Sequence, residues 1–227
     1  PFLLPVAAGV IKAGGKVVSL IEANKSRRWL TSTIVVLENL SKIKEAFYYI
    51  KTISGGKVRA QFGYAVIAAH AGSTGELDSV DIAKINRNFK VKKLKNVKCD
   101  VVAIGWGFTA DTSLAGSLGC KQVVAKDESV IVWVDSEQQT NIPGIFAAGE
   151  ITGIGGSDLS MAEGVIAGIA AAKFVGCKVD ILKAHRKRRA KRQRFANALI
   201  KAYPVKSGWQ SWLNDQTTVC RCEEVSL

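Results

Sequence analysis

Residues 140–150 read TNIPGIFAAGE, a turn followed by a short apolar segment and an acid. Pro143-Gly144 predicts the turn, and residues 145–148 predict a short strand of small and apolar side chains that can lie beside a planar ligand. Gly149 lets the backbone approach such a ligand closely, and Glu150 offers a carboxylate to its hydroxyl groups. The segment therefore predicts a site for a planar cofactor.

The residues after this segment extend the same site. Gly153, Gly155 and Gly156 precede a helix predicted over residues 158–175. The amino-terminal amides of a helix form an electropositive end, which can face the electron-rich edge of a cofactor ring.

The pattern T-x-x-P-G-I-F-A-A-G-[DE] resembles the second flavin-binding motif of two-dinucleotide-binding flavoproteins, the pyridine-nucleotide–disulfide oxidoreductase class. In that class the acid contacts the ribityl chain of FAD, and Glu150 stands where Asp is usual. The resemblance implies a Rossmann-like α/β fold. It also implies that these residues contact FAD: Ala148, Gly149, Glu150, Gly155 and Gly156.

Upstream, residues 99–107 predict a strand that runs into a glycine turn. Gly105-x-Gly107-x-x-Ala110 imitates a dinucleotide fingerprint, but the next acid at a predicted strand end, Asp135, lies beyond the usual interval of about 20 residues. The class resemblance instead identifies this strand as the one at which the chain returns to the FAD domain. It implies that Gly105 and Gly107 contact FAD.

The beginning of the chain predicts half of a second dinucleotide unit. Residues 2–13 predict a helix, Gly14-Gly15 end it, and residues 16–22 predict a buried parallel strand ending at Glu22. An acid at this place can bind an adenosine ribose, here of NAD(P), although a solvated strand end is the alternative. The first strand and its glycine-rich loop are not in the sequence, so we expect a fragment.

The middle of the chain predicts a helix over residues 27–52, strands within 57–70 and 80–91, and a basic stretch at 90–98 that leads to the next strand. No catalytic acid or base is evident in this chain. The predicted organisation is an NAD(P)-binding-like domain at residues 1–98, the closing part of an FAD domain at 99–176, and a basic helical linker with the start of a [2Fe–2S] domain at 177–227.

A narrower resemblance covers nearly the whole chain. It rests on residues 3–8, 105–108, 154–156, 162–164 and 219–225. These resemble the FAD-containing subunit of opine oxidases, hydrogen cyanide synthase and dye-linked proline dehydrogenases. The resemblance implies oxidation of the C–N bond of an amino acid or opine, a partner subunit of the amino-acid-oxidase type, and electron transfer to an acceptor other than oxygen.

The tail is strongly basic. The net charge is +13, and residues 185–194 hold seven of the cationic side chains. A helix is predicted over residues 183–202, and its preferred interpretation is a solvated helix docked through Phe195, Leu199 and Ile200. Binding of nucleic acid through residues 186–194 is the alternative, which we do not adopt. Trp209 and Trp212 are expected to pack against this helix.

Two cysteines lie near the end of the sequence. Cys220-Arg221-Cys222 resembles the first half of a bacterioferritin-associated-ferredoxin-like [2Fe–2S] site, which implies that Cys220 and Cys222 are metal ligands. Four thiolates are required, so a second pair is expected beyond Leu227. Disulfide-reductase chemistry is rejected because it needs a redox pair, typically Cys-x-x-Cys.

Composition sets the remaining bounds. With 227 residues, 48% hydrophobic and 22% charged, the chain is too apolar for a disordered protein, and five cysteines are too few for a disulfide scaffold. The apolar run within residues 164–174 is too short to span a bilayer, and the location is expected to be cytoplasmic, with peripheral attachment to the inner membrane through a complex left open. An NAD(P)H-dependent flavin reductase remains the main functional alternative.

Overall fold

The computed structural model describes residues 3–25, 35, 39–181, 183–220 and 222–227, with residues 40 and 41 described by their backbone alone. The chain forms two compact units. The first combines Pro1–Leu30, Leu40–Trp106 and Tyr203–Leu227, and the second combines Thr31–Asn39 and Gly107–Ala202. The predicted segments 1–98, 99–176 and 177–227 were defined by the cofactor that each would bind. A division by contacts does not test cofactor binding, so these segments stay a prediction.

The first unit begins with a helix and a strand, and a second helix then leads to a strand that runs parallel to the first. Helix α1 spans Leu3–Lys12, strand β1 spans Ser19–Glu22, helix α2 spans Leu40–Gly55 and strand β2 spans Arg59–Phe62. Strands β1 and β2 pair in parallel, from Ser19 opposite Arg59 to Glu22 opposite Phe62. The predicted parallel strand ending at Glu22 is therefore confirmed, although it is shorter and half-buried. Most of the predicted helix before residue 39 lies outside the described residues.

Three antiparallel strands follow, β3 at Tyr64–Ala71, β4 at Leu77–Ile85 and β5 at Val91–Lys98. The basic stretch expected to lead into a strand is itself strand β5. Its lysines are exposed, as is common on an edge strand that must not pair with other chains. The core of this unit is built from small, branched and aromatic residues: Ala65, Ala83, Ile85 and Phe89.

The predicted strand at residues 99–107 is absent, since residues 99–112 adopt no regular structure. Val101 is 76% exposed and Ile104 is 64% exposed. A strand exists only where a neighbouring strand accepts its hydrogen bonds. No strand in the described part of the chain pairs with this segment, so its apolar sequence does not become a strand.

The second unit combines a short β-hairpin with helices. Helix α3 spans Ser113–Ser117, strands β6 and β7 form a hairpin at Gln122–Val124 and Val130–Val132, and helices α4 and α5 span Ser157–Phe174 and Lys183–Ala202. Ala115, Cys120 and Val132 form a buried cluster, on which several partly buried residues pack: Val134, Ile142, Ile145, Ala147 and Ile151.

The predicted strand at residues 145–148 is also wrong. Only one isolated bridge, between Gln139 and Phe146, forms there. The Ala147 N–H donates to Gln138 O at 3.0 Å and the Thr140 N–H donates to Ile145 O at 2.9 Å. The segment is held at both ends, but it is too short to build a ladder.

The tail after residue 202 belongs to the first unit. A 3₁₀ helix spans Ser207–Trp212, and strands β8 and β9 form a small hairpin at Thr218–Cys220 and Val225–Ser226. The Trp212 ring packs on Phe89 and Trp106, with ring centroids 6.1 and 5.5 Å apart. Both of these aromatic partners belong to the first unit, and packing of Trp209 and Trp212 on the basic helix stays a prediction.

Among the residues with described structure, no helix combines the length and the apolarity that crossing a bilayer requires.

Candidate flavin-binding turn

The centre of the candidate site is a glycine-rich turn between residues 145–148 and helix α4. Gly149 has φ 87° and ψ −151°, and Gly153 and Gly156 have φ 136° and 80°. L-residues with a Cβ rarely adopt these left-handed conformations, so glycine is required for the turn. Residues Glu150–Thr152 form one turn of 3₁₀ helix between them.

Glu150 lies at the start of this turn with its side chain exposed. Within the described ranges no residue pairs with its carboxylate. The acid predicted to meet a cofactor hydroxyl is therefore available to one, and its backbone direction is set by the conformation of Gly149 immediately before it.

The two glycines before helix α4 have different surroundings. A Cβ on Gly156 would have no heavy atom within 4 Å, so this backbone faces open space at the amino terminus of α4. A Cβ on Gly155 would overlap Leu159 Cδ2 and lie 3.3 Å from Ala196 Cβ. Gly155 is therefore needed for the close packing of helix α5, while its predicted cofactor contact stays a prediction.

The structure adds a residue that the sequence analysis did not assign, Glu163 on helix α4. Its side chain is 2% exposed. Its Oε2 accepts the Gly149 N–H at 3.0 Å and lies 3.0 Å from Thr152 Oγ1. The sequence signal for this residue is an acid within a mostly apolar helical stretch. Such an acid is expected to be buried, and a buried carboxylate needs hydrogen-bonding or charged partners.

The partner on the other side is Arg189 of the basic helix. Arg189 Nε and Nη2 lie 3.2 and 3.1 Å from Glu163 Oε1. Two further arginines, three residues before and three residues after Arg189, also contact residues outside helix α5. Arg186 pairs with Glu137 at 3.0 Å, and Arg192 donates to Asn39 Oδ1 at 2.8 Å.

These contacts add ion pairs to the predicted docking of helix α5 through an apolar stripe. Residues three apart share one face of a helix, and this face carries inward-directed arginines. The residues predicted to dock the helix, Phe195, Leu199 and Ile200, are half-buried, and the buried residues of its carboxyl-terminal half are Ala196, Ala198 and Ala202.

The other residues predicted to bind a dinucleotide cofactor are not part of this glycine-rich turn. Gly105 belongs to the first unit and Gly107 to the second, both in the irregular segment. Glu22 ends strand β1 in the first unit, and its Oε1 accepts the Asn24 N–H at 2.8 Å, which caps the following turn. The structure thus brings together Ala148, Gly149, Glu150, Gly155 and Gly156 on one continuous segment.

Cys220 ends strand β8 half-buried, and Cys222 is exposed. In the described part of the chain no group of three or more His, Cys, Asp or Glu side chains is arranged to hold a metal ion. Two thiolates alone cannot complete a [2Fe–2S] cluster, so ligation by Cys220 and Cys222 stays a prediction. The other three cysteines differ in burial: Cys120 is buried, Cys99 is half-buried and Cys177 is exposed.

The residues present fit the ribityl and pyrimidine region of a flavin. The Glu150 carboxylate is exposed, and the backbone at Gly156 faces open space where a side chain would otherwise stand. A carboxylate that accepts hydroxyl hydrogens and helix amides that favour electron density are the groups this part of a flavin requires.

Residues 14–172 match the family described as pyridine nucleotide-disulphide oxidoreductase. The match covers well over half of the chain, and the chain belongs to this family. The resemblance to the pyridine-nucleotide–disulfide oxidoreductase class predicted from the sequence motif is thereby confirmed.

The chain is also similar to two named enzyme subunits. The hydrogen cyanide synthase subunit HcnB of Pseudomonas aeruginosa is 25% identical over 234 residues, which cover 100% of this chain and 50% of the relative. An opine oxidase subunit from Rhizobium meliloti is 28% identical over 135 residues, 56% of this chain and 25% of the relative. The resemblance predicted from the motifs is confirmed, and the chain spans about half the length of the hydrogen cyanide synthase subunits it matches.

Among solved structures, the thioredoxin reductase of T. acidophilum superposes with a TM-score of 0.43 at 18% identity, covering 82% of this chain and 46% of that chain.

Proposed function

We propose that this chain is part of an FAD-dependent oxidoreductase subunit that oxidises the C–N bond of an amino acid or opine. The observation that carries the proposal is the similarity, along the whole chain, to a hydrogen cyanide synthase subunit, joined by similarity to an opine oxidase subunit. Both names describe subunits of enzymes, which supports a partner subunit, for which we propose the amino-acid-oxidase type.

FAD supplies the two-electron acceptor for this chemistry, and the protein binds and orients it. Glu150 would accept hydrogen bonds from the ribityl hydroxyls of FAD, and the backbone of Ala148, Gly149 and Gly156 would help to hold the flavin. Gly105, Gly107 and Gly155 are proposed to complete the contact. No side chain of this chain is assigned an acid or base role.

A second candidate is an NAD(P)H-dependent flavin reductase. The observation that favours it is the parallel β1–α2–β2 arrangement with Glu22 at the end of β1. In dinucleotide-binding units an acid at this point binds the adenosine ribose. The family itself is named for pyridine nucleotides, so NAD(P) binding at Glu22 is proposed as an additional property of the first unit.

The two candidates differ in their electron donor. The complete protein, produced together with its partner subunit, would be titrated without oxygen against proline, hydroxyproline, glycine and an opine, and separately against NADH and NADPH. Bleaching of the flavin absorbance by an amine substrate alone supports the first function. Bleaching by NADH or NADPH alone supports the second, and a complex without bound FAD contradicts both.

We further propose that Cys220 and Cys222 provide one edge of a [2Fe–2S] cluster that passes electrons from FAD to an acceptor other than oxygen. Thiolates are the usual ligands of such clusters, and both cysteines are free thiols. The flavin turn belongs to a different compact unit, so the cluster and the flavin are expected to be separable by mutation.

For this cluster, Cys220→Ser or Cys222→Ser in the complete protein should abolish the electron paramagnetic resonance signal of the reduced cluster and leave FAD bound. Cys177→Ser, which changes an exposed cysteine of the other unit, is the matched control and should change neither. A full cluster signal in either mutant would remove that cysteine from the ligand set. Unchanged reduction of the acceptor would take the cluster off the electron path.

A further inference from the structure

The buried carboxylate of Glu163 connects the flavin-binding turn to the basic helix. Each of its oxygens serves a different element. Oε2 faces the turn through Gly149 and Thr152, and Oε1 faces helix α5 through Arg189. With 2% exposure, water contributes little to this carboxylate, so these protein groups supply its hydrogen bonds.

On the turn side, the contacts hold Gly149 at both its N–H and its carbonyl. The N–H donates to Glu163, and Thr152 Oγ1 lies 2.8 Å from Gly149 O and 3.0 Å from Glu163 Oε2. The Thr152 N–H also donates to Gly149 O at 2.9 Å. Because the two peptide groups of Gly149 are fixed, the direction in which Glu150 leaves the turn is fixed as well.

On the helix side, Arg189 supplies the counter-charge. Two of its guanidinium nitrogens approach the same carboxylate oxygen, and its side chain is only 30% exposed. A buried carboxylate without a cation is strongly unfavourable and would move toward water or become protonated. Either response would weaken the acceptor that Gly149 requires.

Neighbouring residues show that the contact is specific to Arg189. Arg188 is the preceding residue on the helix, carries the same charge and is exposed, with no partner among the residues that the structure describes. Arg192 follows Arg189 by three residues, and its Nη1 lies 3.8 Å from Oδ2 of Asp158 in the first turn of helix α4. One face of α5 is thus directed at the segment that carries the flavin turn.

We propose that Arg189 and Glu163 are positioning residues for the flavin, acting through the Gly149 peptide to hold Glu150 toward the cofactor. The proposal rests on the proposed function, namely that FAD binds at this turn. It assigns the basic helix to support of the flavin site.

The matched pair Arg189→Gln and Arg188→Gln tests the proposal in the complete protein with its partner subunit. Both changes remove one positive charge from the same helix. Arg189→Gln should weaken FAD binding about tenfold or more, because a charged hydrogen-bonded contact is lost, and should alter the visible absorption spectrum of the bound flavin. Arg188→Gln should leave both unchanged. Arg189→Lys, which keeps the charge, should restore part of the affinity.

A double variant separates positioning from loss of stability. Glu163→Leu combined with Arg189→Met removes both charges, leaves no buried lone charge and approximately conserves volume, so the fold should be retained. The Gly149 N–H then lacks its acceptor, and FAD binding should still fall about tenfold or more. A folded double variant with wild-type FAD affinity and spectrum would overturn the proposal.

The outcomes also distinguish this proposal from the function on which it rests. If the wild-type complex holds no FAD, the flavin function itself fails. If the wild-type complex holds FAD and Glu150→Ala releases it, while the double variant and Arg189→Gln behave as wild type, the flavin site stands and the positioning role is wrong.

Discussion

Glu150 and Glu163 are separated by one turn and part of a helix, and their surroundings give them opposite roles. Glu150 is exposed with no partner in the described part of the chain, whereas Glu163 is buried with both oxygens occupied. An acid whose hydrogen-bonding capacity is already used cannot also bind a ligand. The residue available to a cofactor is therefore Glu150, and Glu163 supports it.

At the residue scale, Glu150→Ala in the complete protein should lower FAD affinity, since a hydrogen bond to a charged acceptor contributes about 1.5–3 kcal/mol. Flavin retention during dialysis and the dissociation constant by fluorescence titration measure this. Glu76→Ala, which removes an exposed acid from the turn between β3 and β4, is the control and should bind FAD as wild type does. Equal affinities for the two variants would exclude Glu150 from the site.

At the element scale, the antiparallel sheet carries a polar cluster centred on Asp81 of strand β4. Its Oδ1 accepts the Asn96 amide at 2.9 Å, and its Oδ2 lies 2.9 Å from His70 Nε2. Asn96 and Ala68 are its register partners on the two neighbouring strands. The hydrogen bond from Asn96, followed by that from His70, lowers the pKa of Asp81 below its ordinary value of 3.8.

Because folding lowers the pKa of Asp81, its contribution to stability is present above pH 3.8 and is lost as the pH falls through the folded-state pKa. Asp81→Asn should therefore lower the free energy of unfolding near neutral pH by less than about 1 kcal/mol, since the group is partly exposed. In urea titrations at decreasing pH, the difference from wild type should shrink. Asp215→Asn, which changes an exposed acid of the tail, is the control for loss of one negative charge.

At the scale of the whole molecule, residues far apart in sequence build the first unit. Trp212 Nε1 donates to Phe89 O at 2.7 Å across 123 residues of sequence, and the two rings stack. Phe89 is 3% exposed and has φ 65°, a left-handed conformation that a bulky residue adopts only when its surroundings stabilise it. The tail therefore completes the core beside the β4–β5 turn.

Trp212→Ala should lower the free energy of unfolding by about 2–3 kcal/mol, below the value for a fully buried tryptophan because the ring is half-buried. Urea unfolding followed by circular dichroism measures the change. Trp209→Ala, which removes a tryptophan of the same 3₁₀ helix that is 37% exposed, should cost less than about 1 kcal/mol. A reversed order would mean that Trp212 does not hold the tail.

Prediction from sequence succeeded where an element depends on its own residues. The predicted helices at residues 2–13, 158–175 and 183–202 correspond to Leu3–Lys12, Ser157–Phe174 and Lys183–Ala202. It failed at residues 99–107 and 145–148, which have strand-like composition. Helical hydrogen bonds form within a segment, whereas a strand requires a second segment, and the composition of one strand does not reveal whether a partner is present.

The sequence alone determined the class of the protein and the glycine turn, because the conformations at Gly149 and Gly156 and the acid at Glu150 follow from local residue types. Only the tertiary structure decided the partners of the charged residues. Arg188 and Arg189 are equivalent in sequence, yet only Arg189 meets a carboxylate 26 residues away. The face that a helix turns toward its neighbour is set by packing, so the burial of Glu163 and its pairing with Arg189 emerge only when the two helices are placed together.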